Sequence, residues 1–395
     1  MVEFDVVVAG AGPAGMMAAR EASRRGMNVL LLEKENYFGR KPCGEAVSEL
    51  ALQTSEIPPS DKGKLILNRV KGSYIFSPGE VKAVKLSTGD SELNEGYIID
   101  KPFFLRRLAE IAAEEGVTIW MNSEVKSVIR RNGKICGVTF IRRGKTEQAL
   151  SKTVIACDGF NSTVLRDVFG ISPRPVIPCI QYKMANCKEL EEEMIRIYLG
   201  QNVAPGGYVW VFPTGETTAN VGIGVRGKPA KPYLDKFIKN HPDMFRKAQI
   251  LNVGAAPVPI CGQLSNAVDD RLLVCGDAAG QVIPCTGGGI ESGLYGGKLA
   301  GRVMAEALAE GDTGAERLRR YWSEYETPFG SRIRDSAKAL RAIETLNDEE
   351  LIELGSLLSS RDIVDLVNGF DVARVAKLLL SHPAFALKIS KILLF

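Results

Sequence analysis

Gly10-Ala-Gly12-Pro-Ala-Gly15 has the G-x-G-x-x-G spacing. A strand-like run, VEFDVVVA at 2–9, precedes it, and an Ala- and Met-rich helical stretch at 14–26 follows. Gly10 permits a tight turn, Gly12 lets backbone approach a pyrophosphate, and Gly15 lets the helix pack on the strand. The helix N-terminus offers free N–H groups and a positive dipole end to an anion. Glu33 closes the next apolar run, 28–33. A carboxylate there accepts hydrogen bonds from a ribose and repels a 2′-phosphate. A glycine-rich structural turn is the alternative; strand, helix and acid in register favour a dinucleotide.

Two further glycine-bearing groups follow. RLLVCGDAAG at 271–280 places Asp277 just after a strand, where it can bond a ribityl or ribose hydroxyl of a long cofactor. PCTGGGI at 284–290 puts Gly288 and Gly289 at a helix start. Those N–H groups face an electron-rich ring edge, such as the N1/O2 side of a reduced flavin, or else form an ordinary glycine turn. In CDGFNSTVLR at 157–166, Asp158 and Arg166 read as braces for the cofactor or its loop. The order of the three groups is typical of one flavoprotein class.

These groups need elements to position them. The 395 residues exceed one compact core, so two or three subdomains are expected. Residues 103–116 read as an amphipathic helix, 117–121 as a strand, and 124–157 as a hairpin region turning at Asn132-Gly133. Residues 61–100 alternate β-like runs with turns, and 175–260 are mostly β-type. A helix is expected over 289–310, then leucine-rich helices with breaks at Pro328, Gly355 and Pro383. The apolar, lysine-dotted stretch 383–395 is either a buried closing helix or a membrane-surface element.

Composition narrows the function. Fifty basic residues against 47 acidic give a net charge of +3, without the dense basic block that nucleic acid requires. None of the eight cysteines forms a C-x-x-C pair, and His241 and His382 both precede proline, so no metal site is expected. The cysteines read as a reduced, intracellular set. The N-terminus reads without a signal peptide, and no uncharged apolar stretch of about 18 residues is present to span a bilayer.

Two motifs carry a resemblance. Lys41-Pro-Cys43-Gly44-Glu45-Ala46 is similar to a C-G-E-G/A loop, and Pro205-Gly-Gly-Tyr208-Val-Trp210-Val-Phe212-Pro213 to a P-x-x-Y-x-W-x-F-P motif. With the three glycine groups, the chain resembles the FAD-dependent geranylgeranyl reductases, within the para-hydroxybenzoate hydroxylase-like class. The likeness covers roughly residues 1–345 and points to archaeal enzymes that saturate geranylgeranyl chains of ether-linked lipids. It implies a mixed α/β fold. A discontinuous Rossmann-type FAD-binding domain would span 1–60, 98–170 and 265–320. An antiparallel-sheet substrate domain would take 61–97 and 171–264, and a helical region 321–395.

Carried over by motif, FAD contacts fall on Ala14, Glu33, Cys43, Gly44, Ala46, Val125, Asp277, Gly289 and Ile290. Gly10, Gly12, Gly15, Gly288 and Asp158 join them from the glycine groups. Lys101 stands where the family has arginine; lysine keeps the charge and loses the bidentate fork, with Arg107 as an alternative phosphate partner.

Reducing an isolated alkene needs a hydride and a proton, with water kept out. Cys43, Tyr208 and Trp210 form the expected catalytic set. Tyr208 is a conceivable proton donor; Cys43 is a proton donor or gate, or only a small apolar contact. Tyr208, Trp210 and Phe212 alternate on a strand and share a face, as a prenyl-tunnel wall or as ordinary sheet packing. Glu45 is an acid or an exposed loop carboxylate. No second glycine loop with its own strand and helix is visible, so electrons are expected from a reduced ferredoxin-like carrier or NAD(P)H. The expected protein is a cytoplasmic monomer acting on a prenylated lipid, with peripheral contact at the cytoplasmic membrane face. A same-fold aromatic or lipid monooxygenase, a reductase of geranylgeranyl diphosphate or a quinone side chain, and a non-catalytic lipid-binding flavoprotein are the competing readings.

Overall fold

The apolar runs at both ends of the first glycine loop become adjacent parallel strands, β1 (Glu3–Ala9) and β2 (Val29–Leu32), joined by α1 (Pro13–Arg24). Pro13 opens α1 because its missing N–H is one the first turn would leave unpaired anyway. The computed structural model describes residues 3–87, 95–171, 174–264 and 267–382, with Phe385 and Ile392.

The chain continues through β3 (Ala46–Ser48), α2 (Glu49–Ser55), α3 (Pro59–Leu65), β4 (Ile66–Val70), β5 (Gly72–Phe76), β6 (Ala83–Ser87), β7 (Gly96–Ile99) and α4 (Lys101–Glu114). Next come β8 (Thr118–Trp120), β9 (Ser123–Arg131), β10 (Lys134–Arg142), β11 (Lys145–Ala156), α5 (Thr163–Phe169), β12 (Val176–Ala185), β13 (Met194–Tyr198), β14 (Tyr208–Gly215) and β15 (Thr218–Gly224). After them follow α6 (Ala230–Asn240), α7 (Pro242–Phe245), β16 (Gln249–Pro259), β17 (Val268–Asp269), β18 (Leu272–Val274) and α8 (Ile290–Glu310). The remaining helices are α9 (Ala315–Leu318), α10 (Arg320–Tyr325), α11 (Ser331–Ile343), α12 (Asp348–Leu357), α13 (Ser360–Asn368) and α14 (Val372–Leu380).

The described residues form three sheets. The first runs β17-β18-β11-β1-β2-β8, parallel through β18, β11, β1, β2 and β8, and carries the hairpin strands β9 and β10 on the lower half of β11. The second runs β16-β12-β15-β14-β13-β5-β6. It is antiparallel except where β13 pairs β5 in parallel, so it is mixed rather than wholly antiparallel. The third, β3-β7-β4, links the two. The fold is thus mixed α/β with a helical C-terminal region.

Several local expectations change. Residues 61–100 include the end of α3 besides their strands, and the β-type region carries α6 and α7, whose apolar faces cover the second sheet. Pro328 does not break the helix; a π-helical turn at Glu326–Gly330 absorbs it between α10 and α11. Gly355 lies inside α12. Pro383 lies outside the described residues, as does most of 383–395; Phe385 is buried in an apolar cluster with α11 to α14.

The helices α1 and α8 cross at very short range. An added Cβ would come 2.0 Å from Ala14 O at Gly297 and 2.4 Å from Ala18 O at Gly301. Only hydrogen fits at those two positions, so both helix N-termini reach the same space.

Candidate functional site

A cavity of about 2060 Å³ runs from the first sheet to the C-terminal helices. At one end it is lined by backbone. Gly10 has φ +96°, and a Cβ there would meet Cys157 O at 2.4 Å. A Cβ on Gly15 would sit 1.8 Å from Gly10 O, so Gly15 lies behind the loop and holds it against the helix. Gly12 caps α1 without a side-chain bond, and nothing stands within 4 Å of where its Cβ would be. Gly289 likewise caps α8 with no side-chain bond. Both helices therefore direct unspent N–H groups at the cavity.

The carboxylates at this end differ in how they are held. Glu33 accepts from Ala11 N at 2.8 Å and Glu35 N at 2.9 Å, so it braces the loop as well as facing the cavity. Asp158 Oδ2 accepts from Thr163 N and Val164 N, while buried Oδ1 has no partner, and burial pushes this carboxyl above its usual value. Asp277 pairs with Lys41 at 2.5 Å. Burial opposes the Lys41 charge, yet Asp277 leaves its pKa above the ordinary lysine value.

Lys101 is the first residue of α4 and is buried. Its ammonium donates to Lys41 O at 2.7 Å, and burial lowers its pKa, against support from Cys43, Glu45 and Asp277. Arg107 does not share this space: it is tied to Asp61, Glu110 and Glu114 on the outer side of α4. Arg166 faces the cavity and, among the described residues, bonds Asn161 and Thr163.

The middle of the cavity brings the two motifs of the resemblance together. A Cβ on Gly44 would lie 2.6 Å from the Phe212 ring, and one on Gly222 would lie 2.2 Å from the Trp210 indole. Trp210 Nε1 donates to Gln181 Oε1 at 3.0 Å, and Tyr208 donates to Thr286 O at 2.5 Å, in the loop before α8. Burial pushes the Tyr208 hydroxyl well up, so it keeps its proton. Cys43, Ala46, Val125, Gly288 and Ile290 line the same cavity.

Glu45 is neither exposed nor an isolated acid. It is 3% exposed, and its carboxylate accepts from Lys183 at 2.9 Å through both oxygens and from Asn220 at 2.9 Å. Lys41, Gln181 and Lys183 line this cavity and Asn220 binds Glu45 at its wall, and reading the sequence gave none of the four a role. Gln181 and Asn220 are polar residues buried within apolar strands, which is the signal that could have found them.

The far end is apolar. Ile75, Val84 and Leu86 face Leu340, Ile343 and Leu354 across it, with Cys285 at the join. Burial pushes the Cys285 and Cys179 thiols up to about 12. Among the described residues, no group could hold a metal ion and no helix is long and apolar enough to cross a membrane.

The chain is similar to known proteins in sequence and fold. The geranylgeranyl reductase catalytic domain family matches residues 176–258, and the FAD dependent oxidoreductase family matches 5–159. A digeranylgeranylglycerophospholipid reductase of Methanopyrus kandleri is 33% identical over 99% of both chains. One from Methanococcoides burtonii is 35% identical over 91% of this chain and 88% of its own. A geranylgeranyl bacteriochlorophyll reductase-like structure from Thermoplasma acidophilum covers 99% of both chains at TM-score 0.87 and 30% identity. A flavin-dependent brominase, 18% identical at TM-score 0.74 over 98% of this chain and 100% of its own, shares the fold.

Proposed function

We propose a function from one premise: the chain belongs to the FAD-dependent geranylgeranyl reductase family, with the digeranylgeranylglycerophospholipid reductases among its relatives. It is a flavin oxidoreductase that reduces geranylgeranyl chains of lipids. One observation carries the site reading: a single cavity joins a glycine-lined cradle to an apolar channel.

The residues present fit FAD. The free N–H groups of α1 and α8 suit its pyrophosphate and ring edge, and Asp158 Oδ1 has a hydrogen bond still to accept. In this reading Gly10, Gly12, Ala14 and Glu33 hold the nucleotide half, with Val125 and Asp158 beside them. Lys101, Asp277, Gly288, Gly289 and Ile290 hold the flavin half. Reduced FAD supplies the hydride.

The chain's own residues do the rest. Cys43 and Ala46 close one side of the reacting space and Tyr208 and Trp210 form the other, with Gly44 seated directly on the Phe212 ring where the two sides meet. Hydrogen bonds from Trp210 to Gln181 and from Tyr208 to Thr286 fix both rings, so an alkene slides between rigid walls. The aliphatic residues beyond them bury the prenyl chain and exclude water. Tyr208 and Cys43 are the proposed proton-handling groups. The lipid is an ether phospholipid with geranylgeranyl chains, met at a membrane face, and electrons come from an external carrier or NAD(P)H.

The test uses dithionite-reduced holoprotein mixed anaerobically with a digeranylgeranylglycerophospholipid. Flavin absorbance should return as the lipid gains two hydrogens per bond. A flavin that stays reduced until oxygen enters, with a product that then gains an oxygen atom, would indicate a monooxygenase instead.

A further inference from the structure

We infer that Glu45 is a positioning residue whose carboxylate latches the Cys43 loop onto the substrate sheet through Lys183 and Asn220. The inference rests on the reductase reading and names what holds its two walls at a set distance.

Four observations meet here. Glu45 sits at φ +68°, a left-handed conformation that an ordinary loop would give to glycine. A side chain kept at that cost has work that glycine cannot do. Its carboxylate is buried and takes three donor contacts: two from Lys183 Nζ at 2.9 Å and one from Asn220 Nδ2 at 2.9 Å. Lys183 on β12 and Asn220 on β15 are directly paired in register, so both anchors belong to one rigid rung. Asn220 also donates to Gly44 O at 3.1 Å, and Glu45 N donates to Cys43 Sγ at 3.3 Å. The Glu45 carboxylate and the Asn220 amide thus tie Glu45 and Gly44 to one rung of the sheet, and the Glu45 backbone N–H holds Cys43 beside them.

The same rung explains the seating of Gly44. The Phe212 ring lies where a Gly44 Cβ would be, so the loop rests on the aromatic strand with no slack. Asn220 pairs with Phe212 across the adjoining ladder, which places latch and seat on the same line of the sheet. Both carboxylate oxygens are engaged by Lys183 and Asn220, so the group serves to hold the loop in place.

The experiment compares Glu45→Gln, Lys183→Met and Lys183→Arg in the FAD-loaded full chain. It reads peptide-resolved iodoacetamide labelling of Cys43 alongside anaerobic reoxidation by the lipid. Labelling of Cys43 should rise about fivefold or more in Glu45→Gln and Lys183→Met as the loop opens, with reoxidation slowed about tenfold or more. Lys183→Arg should stay near wild type, because a guanidinium can bridge both carboxylate oxygens. Slower reoxidation with unchanged labelling in both variants would overturn the latch and favour direct chemistry. Loss of FAD from Lys183→Met and Lys183→Arg alike would also overturn it. Labelling needs no alkene, so it reads the latch even if the reductase reading fails. Should Glu45→Gln not fold, Lys183→Met carries the same comparison.

Discussion

The two ends of the cavity are made of different material. The glycine-lined end, proposed to take the nucleotide, is built from backbone: the turn at Gly10, the caps at Gly12 and Gly289, and two helices that touch at Gly297 and Gly301. The apolar end, proposed to take the lipid, is built from side chains brought together from β5, β6, α11 and α12. Backbone binding tolerates little change, since a single methyl group collides with a carbonyl. Side-chain binding tolerates much, since any aliphatic group of similar volume keeps the channel dry. Damage should therefore be abrupt at one end and graded at the other.

Gly15→Val should show the largest effect. Its Cβ would need the space of Gly10 O, 1.8 Å away, so the loop cannot keep its shape. Purified protein should lose FAD, with affinity weakened about a hundredfold or more, read by flavin fluorescence. Retained yellow colour at wild-type affinity would break the contrast. Ile343→Trp sharpens it from the other end. The indole would fill channel volume far from the cradle, so FAD should stay bound while reoxidation by a geranylgeranyl lipid slows about tenfold or more. A short prenyl substrate should be less affected.

The same difference decides what could be read in advance. A backbone site leaves glycines at fixed spacing, so Gly10, Gly12, Gly15 and Gly289 announce themselves within short windows. The Tyr208-x-Trp210-x-Phe212 alternation was legible because a strand has period two. The latch at Glu45 was not, because Lys183 and Asn220 lie 138 and 175 residues away and only the fold joins them. Pro328 misled because a π-helical turn absorbs the residue that normally ends a helix. The leucine-rich C-terminus was readable as helix, but which faces line a channel depends on partners in β5 and β6.

Lys101 tests the border between the two materials. It is a buried cation whose ammonium, among the described residues, bonds a backbone carbonyl and no carboxylate, so an anionic cofactor gains from it. Lys101→Met should weaken FAD binding about tenfold, or about 1.4 kcal/mol, by fluorescence titration. Burial lowers the Lys101 pKa, so its proton leaves earlier than from an ordinary lysine as pH rises. Wild-type affinity for FAD should then fall with rising alkaline pH, while the Met variant stays flatter. A parallel decline in both would assign the pH effect elsewhere.

The smallest effect is expected where the channel is driest. The Cys285 and Cys179 thiols are pushed up to about 12, so little thiolate exists near neutral pH, and thiolate is the reactive form. Iodoacetamide near neutral pH should modify exposed Cys261 while leaving Cys285 and Cys179 almost untouched. Raising the pH should bring Cys285 in only late, since its thiol faces Ser336 O inside the apolar cluster. If Cys285 reacted as fast as Cys261, water would fill the lipid end. The side-chain walls would then be too loose to shield an alkene, and the contrast with the rigid cradle would lose its functional meaning.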